Sequence, residues 1–170
     1  RFTAMAGAED YQSAVRKVRV LSTLQYALPG VPCIYYGDEV GLMGGTDPAN
    51  RSGYPWGFEN LDLGYHYRML GLAYDEHPAL KDGKLIMLNG RNGIPDDVLA
   101  FIREGHGEKI PVLASRSYSE SSVSLRAVEE SRCGYALDLL RTEELPVFAD
   151  GVPEEIKMDR LSVKLICLKS

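Results

Sequence analysis

"LPGVPCIYYGDEVGLMGGTDPANRSGYPW", Leu28 to Trp56, decides how the rest of the chain is read. A short apolar run, Val31 to Tyr36, lies between Pro29-Gly30 and Gly37 and then gives way to a loop that mixes charges with rings. A continuous apolar run bounded by glycines is the pattern of a strand buried on both faces of a parallel sheet. The residues ahead of it predict a helix over 11–28, because Ala14, Val18, Leu21, Leu24 and Leu28 recur at three- and four-residue steps. Arg16, Lys17 and Arg19 lie mostly off that stripe, and Pro29-Gly30 stops the helix. Helix, tight turn and buried strand make an α/β unit.

The loop over 37–60 is rich in Gly, Asp, Asn and Pro and exceeds the usual length of a connection, which points to a functional loop or a disordered one. A second helix is expected over 61–76, with Leu61, Tyr65, Met69, Leu72 and Ala73 on one side and His77-Pro78 ending it. After Pro78 the pattern changes to short runs at 84–88, 98–103, 110–115, 122–127, 135–140 and 161–168, separated by Gly, Asn, Asp and Ser. That spacing is close to an antiparallel sandwich. The last run alternates, with Leu161, Val163, Leu165 and Cys167 pointing one way and Ser162, Lys164 and Ile166 the other. The chain divides into two units, 1–80 and 81–170, and the fold class is α+β.

The 170 residues are 45% hydrophobic and 25% charged with a net charge of −5, which is an ordinary globular composition. Lys and Arg are scattered, so nucleic acid and membrane surfaces are set aside as partners. No stretch reaches the roughly 18 apolar residues of a membrane span. Cys33, Cys133 and Cys167 are odd in number, and Cys33 and Cys167 lie in apolar runs, so they are expected to be small buried hydrophobes in a reducing, cytoplasmic setting. No metal site and no cofactor are expected.

Asp38 and Glu39 are adjacent carboxylates, but neighbours on an extended strand point to opposite faces. A retaining glycosidase needs two carboxyl groups about 5–5.5 Å apart facing one sugar, so this pair reads as a brace for the loop, hydrogen-bonded to backbone N–H groups and a neighbouring Arg. Asp47 and Arg51, four apart with Tyr54 and Trp56 close behind, suit a sugar: polar groups for vicinal hydroxyls and rings for its apolar face. A surface ion pair explains the same spacing, and composition alone leaves the two readings equal. His66, between Tyr65 and Tyr67, reads as a surface or packing residue, with no second His or Cys near it at ligand spacing.

The quoted stretch resembles the segment around the eighth barrel strand of the α-amylase family of glycoside hydrolases, above all its neopullulanase, cyclomaltodextrinase and maltogenic amylase group. Arg1-Phe2 is similar to the residues just past the family's Asn-His-Asp motif, and "YHYRMLGLAYDEHPALKDGKLIML" resembles the final barrel helix and the start of domain C. The resemblance covers about 1–90 by motif and 91–170 by strand pattern. It implies the last helix–strand–helix portion of a (β/α)8 barrel over 1–80, followed by an antiparallel β-sandwich over 81–170.

The family cleaves α-glucosidic bonds with retention, using an Asp nucleophile, a Glu acid/base and a second Asp. None of the three matches a position of this chain, so the resemblance assigns no catalytic residue and implies the C-terminal portion of such an enzyme, inactive alone. It does imply that Asp47 and Arg51 match an Asp-Pro-x-x-Arg segment that contacts the glucan, and that Trp56 matches an aromatic closing that loop. Relatives often have Met-x-Trp where this chain has Tyr54-Pro55-Trp56. Asp38 and Glu39 fall at the barrel rim, and the expected partner is an α-glucan of cyclodextrin, pullulan or starch type. An edge left bare at strand 33–36 is expected to self-associate or to lie under the two helices. The rival from another class is a non-catalytic sugar-binding or structural β-sandwich module. The uneven spacing of Phe101, Tyr118, Tyr135 and Phe148 speaks against it.

Overall fold

In the computed structural model of the protein, residues 11–153 and 155–169 are described, so the match at Arg1-Phe2 lies outside them. Helix α1 runs Tyr11–Ala27 and helix α2 Leu61–Glu76, over the expected ranges. The buried face of α2, however, is Leu63, His66, Tyr67, Leu70 and Ala73, while Leu61, Tyr65 and Leu72 of the expected stripe are exposed, as are Leu21 and Leu28 of the first. Asn60 caps α2, its side-chain oxygen accepting a hydrogen bond from the Leu63 N–H at 3.0 Å. Pro78 then starts a short third helix, α3, Pro78–Asp82, because a proline at the first helical position forfeits no hydrogen bond.

Eight strands follow: β1 Lys84–Met87, β2 Val98–Gly105, β3 Glu108–Ser115, β4 Ser121–Val123, β5 Tyr135–Asp138, β6 Glu143–Leu145, β7 Ile156–Met158 and β8 Val163–Lys169. Six form one antiparallel sheet in the order β1-β2-β3-β8-β5-β6, and β4 pairs with β7 in a second sheet. The tightest connection is the β2–β3 hairpin, where Gly105 pairs with Glu108 across His106-Gly107. Both turn residues have positive φ, 53° and 77°, the geometry whose twist suits a two-residue hairpin.

The six-stranded sheet is covered on both faces. On one side Phe101, Ile110, Val112 and Leu165 pack with Val18, Leu63, Leu70 and Leu80 of the helices. On the other, Ala100, Ile102, Leu113 and Ile166 pack with Val123, Leu125, Ile156 and Met158. The alternation read along β8 is therefore real, with Leu165 and Cys167 in the first core and Ile166 and Leu168 in the second. Lys164 is buried too, and its ammonium donates to the Asp138 carboxylate at 2.8 Å. The first core draws residues from both sides of position 80.

Arg103 ties the helices to the sheet. It is fully buried, and its guanidinium donates to the Ala27 carbonyl at 2.6 Å and to the Gly83 carbonyl at 2.9 Å. Ala27 ends α1, where carbonyls lack an intrahelical donor, so the charge also meets the negative end of the helix dipole.

The segment 31–36 departs from expectation. Val31 to Tyr35 joins no ladder among the described residues; Val31 is 89% exposed and Tyr35 46%. A strand buried on both faces owes its conformation to neighbours that satisfy its N–H and C=O groups, and no described segment lies alongside. Contacts from the helices hold it instead: the Gln25 amide donates to the Cys33 carbonyl at 2.6 Å and the Tyr74 hydroxyl to the Gly30 carbonyl at 3.4 Å. Cys33 is consequently exposed, against the expectation of burial, whereas Cys133 and Cys167 are buried. Strands β6 and β7, three residues each and rich in charge, carry too little apolar pattern to be read from the sequence. No helix among the described residues is long and apolar enough to cross a membrane.

Candidate functional site

The loop after Tyr36 is built on glycine-dependent turns anchored to both long helices. Gly37 and Gly41, at φ 85° and 72°, flank a single 3-10 turn, Asp38–Val40. The Asn60 N–H donates to the Val40 carbonyl at 3.0 Å, and the Asn60 amide donates to the Tyr11 hydroxyl at 3.1 Å. A side chain at Gly41 would run into that same hydroxyl. One short turn is thus fixed to the N-terminal ends of α1 and α2.

Further along, a second 3-10 turn, Ala49–Arg51, brings Arg51 back over Asp47, and the guanidinium meets the carboxylate at 2.8 Å. The two side chains are 67% and 60% exposed, so most of the guanidinium fork still faces solvent. Tyr36 donates its hydroxyl to the Ser52 carbonyl at 2.9 Å and holds the far end of this turn. Tyr54 and Trp56 lie with ring centroids 4.5 Å apart at 48°, and Trp56 is 79% exposed. The four residues singled out from the sequence, Asp47, Arg51, Tyr54 and Trp56, are therefore carried on one exposed loop, as an ion pair and a tilted aromatic pair.

Asp38 and Glu39 lie at the base of that loop. Glu39 hydrogen-bonds the Tyr54 hydroxyl; partial desolvation of the phenol, and then the charges of Glu39 and Glu59, raise the Tyr54 pKa. The partner of Glu39 is thus a tyrosine of the same loop, where the sequence alone points to backbone N–H groups and an Arg. Asp38 faces Tyr67, whose pKa is pushed up to about 12, first by burial and then by the Asp38 charge. Tyr36 is the contributor that the sequence does not disclose, since its apolar run reads as a strand core.

His66 is buried between α1 and α2, which settles it as a packing residue. Its Nε2 lies 3.2 Å from the Ser22 hydroxyl and 3.4 Å from that of Thr23, and both hydroxyls donate to the Arg19 carbonyl. Burial, reinforced by the Arg19 charge, lowers its pKa to about 4, so the ring is neutral at pH 7. Among the described residues no group of three His, Cys, Asp or Glu side chains is arranged to hold a metal ion.

No protein-family profile matches the chain. Similar sequences are an amylopullulanase of Thermoanaerobacter thermohydrosulfuricus, 43% identical over 53% of this chain, and a cyclomaltodextrinase of Thermoanaerobacter pseudethanolicus, 33% identical over 77%. A maltogenic alpha-amylase of Bacillus acidopullulyticus is 32% identical over 88% of this chain. These alignments span 6%, 22% and 25% of the three relatives' own lengths. Among solved structures, an Anoxybacillus alpha-amylase superposes with a TM-score of 0.77 at 23% identity, over 92% of this chain and 33% of that one. The maltogenic amylase from S. marinus superposes with a TM-score of 0.71 at 26% identity, over 91% of this chain and 19% of that one. Helices, sheet and sequence agree in their likeness: the chain matches, in both sequence and fold, amylopullulanases, cyclomaltodextrinases and maltogenic amylases, glycoside hydrolases of the α-amylase family.

Proposed function

We propose that this chain is the C-terminal portion of a retaining α-glucan hydrolase, supplying a substrate-binding loop and domain C while the catalytic carboxylates come from elsewhere in the parent. In this reading residues 1–80 are the end of the catalytic barrel and 81–170 are domain C. The observation that carries it is the loop bearing Asp47, Arg51, Tyr54 and Trp56: an exposed guanidinium–carboxylate pair together with the exposed Trp56 ring tilted against a half-buried Tyr54. Such a surface bonds vicinal hydroxyls and covers the apolar face of a glucose ring. Asp38 and Glu39 brace it from below. The substrates are cyclodextrin, pullulan or starch-type glucans, in keeping with the names of the relatives.

Trp56 is the chain's single tryptophan, so its fluorescence reports this loop alone. Titration with maltotriose should change the emission saturably, and Arg51→Ala should weaken the response. A flat titration would remove the binding role. The exposed segment Val31–Tyr35 also offers an edge through which two copies pair; a sedimentation coefficient independent of concentration would rule that out. A cytoplasmic setting fits the three free thiols.

A further inference from the structure

A cavity of about 1100 Å³ lies where the N-terminal halves of α1 and α2 meet the strand ends and loops of the sheet. None of Asp47, Arg51, Tyr54 and Trp56 lines it. Its lining includes Arg19 and Ser162, and each has a buried polar atom without a hydrogen-bond partner among the described residues, Nε of Arg19 and Oγ of Ser162. Buried donors left unmade cost about 1–3 kcal/mol each, so two on one cavity mark a place where something polar is received. They come from different elements, Arg19 from α1 and Ser162 from the residue before β8.

The rest of the lining narrows the ligand class. Guanidinium groups and carboxylates are equally represented, four of each, and Arg141 already pairs with Asp159 at 3.3 Å. A balanced lining gives no net attraction for phosphate or for a polycation. It does supply forks of donors and acceptors suited to hydroxyls. Two exposed rings, Tyr65 at 55% and Tyr118 at 68%, add flat apolar surface. The volume exceeds that of a typical small-ligand site and suits an oligomer of several sugar rings.

We propose that this cleft is a second binding site for a neutral oligosaccharide, an α-glucan, with Tyr65 and Tyr118 as stacking surfaces and Arg19 and Ser162 as hydrogen-bonding groups. The choice of an α-glucan over another neutral sugar rests on the function proposed above.

The test exploits Trp56, which reports the rim loop and not the cleft. Binding of maltotetraose to the full chain is measured by calorimetry and, in parallel, by Trp56 emission. The expected result is two binding events, of which one leaves Trp56 unchanged. That silent event should weaken at least tenfold in Tyr65→Ala/Tyr118→Ala, with the Trp56 titration unaltered and the circular dichroism spectrum native. Tyr118→Ala alone serves if the double variant does not fold, with a smaller loss of the same event. A single event that tracks Trp56 in the unsubstituted chain, or a silent event untouched by either variant, overturns the proposal. A silent event without any Trp56 response would sustain the cleft and reject the loop reading instead.

Discussion

At Arg51 the ion pair with Asp47 raises a question that magnitude answers. An exposed pair at 2.8 Å with both side chains more than half accessible contributes less than about 1 kcal/mol to stability, so folding alone gives little reason for its geometry. A charge-assisted hydrogen bond to a sugar hydroxyl is worth more. Arg51→Ala is therefore expected to weaken maltotriose binding in the Trp56 titration by about 1–3 kcal/mol while moving the urea midpoint little. A large midpoint shift with unchanged binding would make Arg51 a brace and nothing more.

His66 gives a sharper prediction because its sign is fixed. Its folded pKa, about 4, lies below the unfolded value near 6.5, so between those limits the unfolded chain binds more protons. Stability conferred by keeping the ring neutral is complete above the upper limit and is lost as pH falls through the window. Between pH 7 and pH 5 the loss attributable to this group is roughly 2 kcal/mol. Urea midpoints at the two pH values measure it, and His66→Gln should lower the difference by that amount. Equal pH dependence in the two proteins would contradict the assignment.

Among the elements, the contrast between 31–36 and β8 shows what a sequence can convey. Both are apolar runs, and both read as strands. Only β8 has partners on each side, β3 and β5, and only β8 is a strand among the described residues. The extents of the two long helices were legible because their stops, Pro29-Gly30 and His77-Pro78, are chemical, whereas the buried face of α2, with Leu63, Tyr67 and Leu70, is not the stripe of Leu61, Tyr65 and Leu72. An element whose hydrogen bonds lie in other segments is not decided by its own residues. Amide exchange should thus find Val31–Tyr35 fast in dilute solution and Leu165–Leu168 among the slowest. Slow exchange at 31–35 in a monomer would mean a partner strand the fold does not show.

Arg103 is an element-level feature that no periodicity reveals, since an arginine in an apolar strand reads as solvent-facing. Here it joins the end of α1 to Gly83 at the start of the sheet. Arg103→Leu would leave a buried carbonyl, that of Ala27, and a half-buried one, that of Gly83, without this donor and should lower stability by about 1–3 kcal/mol in urea denaturation. An unchanged midpoint would show that water or a neighbour replaces it.

At the scale of the whole molecule, the three layers make the helices and the sheet one cooperative body, because the first core is shared by α1, α2 and the central strands. That Asp47, Arg51, Tyr54 and Trp56 share one loop was legible from their spacing, which left a sugar site and a surface ion pair equal. What spacing did not reveal is that Tyr36 holds the far end of the turn and that Glu39 meets Tyr54, since those contacts depend on where the turns deliver each side chain. The cleft lined by Arg19 and Ser162 was invisible for the same reason: its walls are about 140 residues apart in sequence.

The central claim is that this chain carries a glucan-binding wall and domain C for chemistry performed by carboxylates elsewhere. The direct measurement is a reducing-end assay of the 170-residue chain and of its full-length parent on cyclodextrin, pullulan and starch. The expected result is activity in the parent and none in the chain. Hydrolysis by the chain itself would contradict the account and place the catalytic carboxylates within these residues.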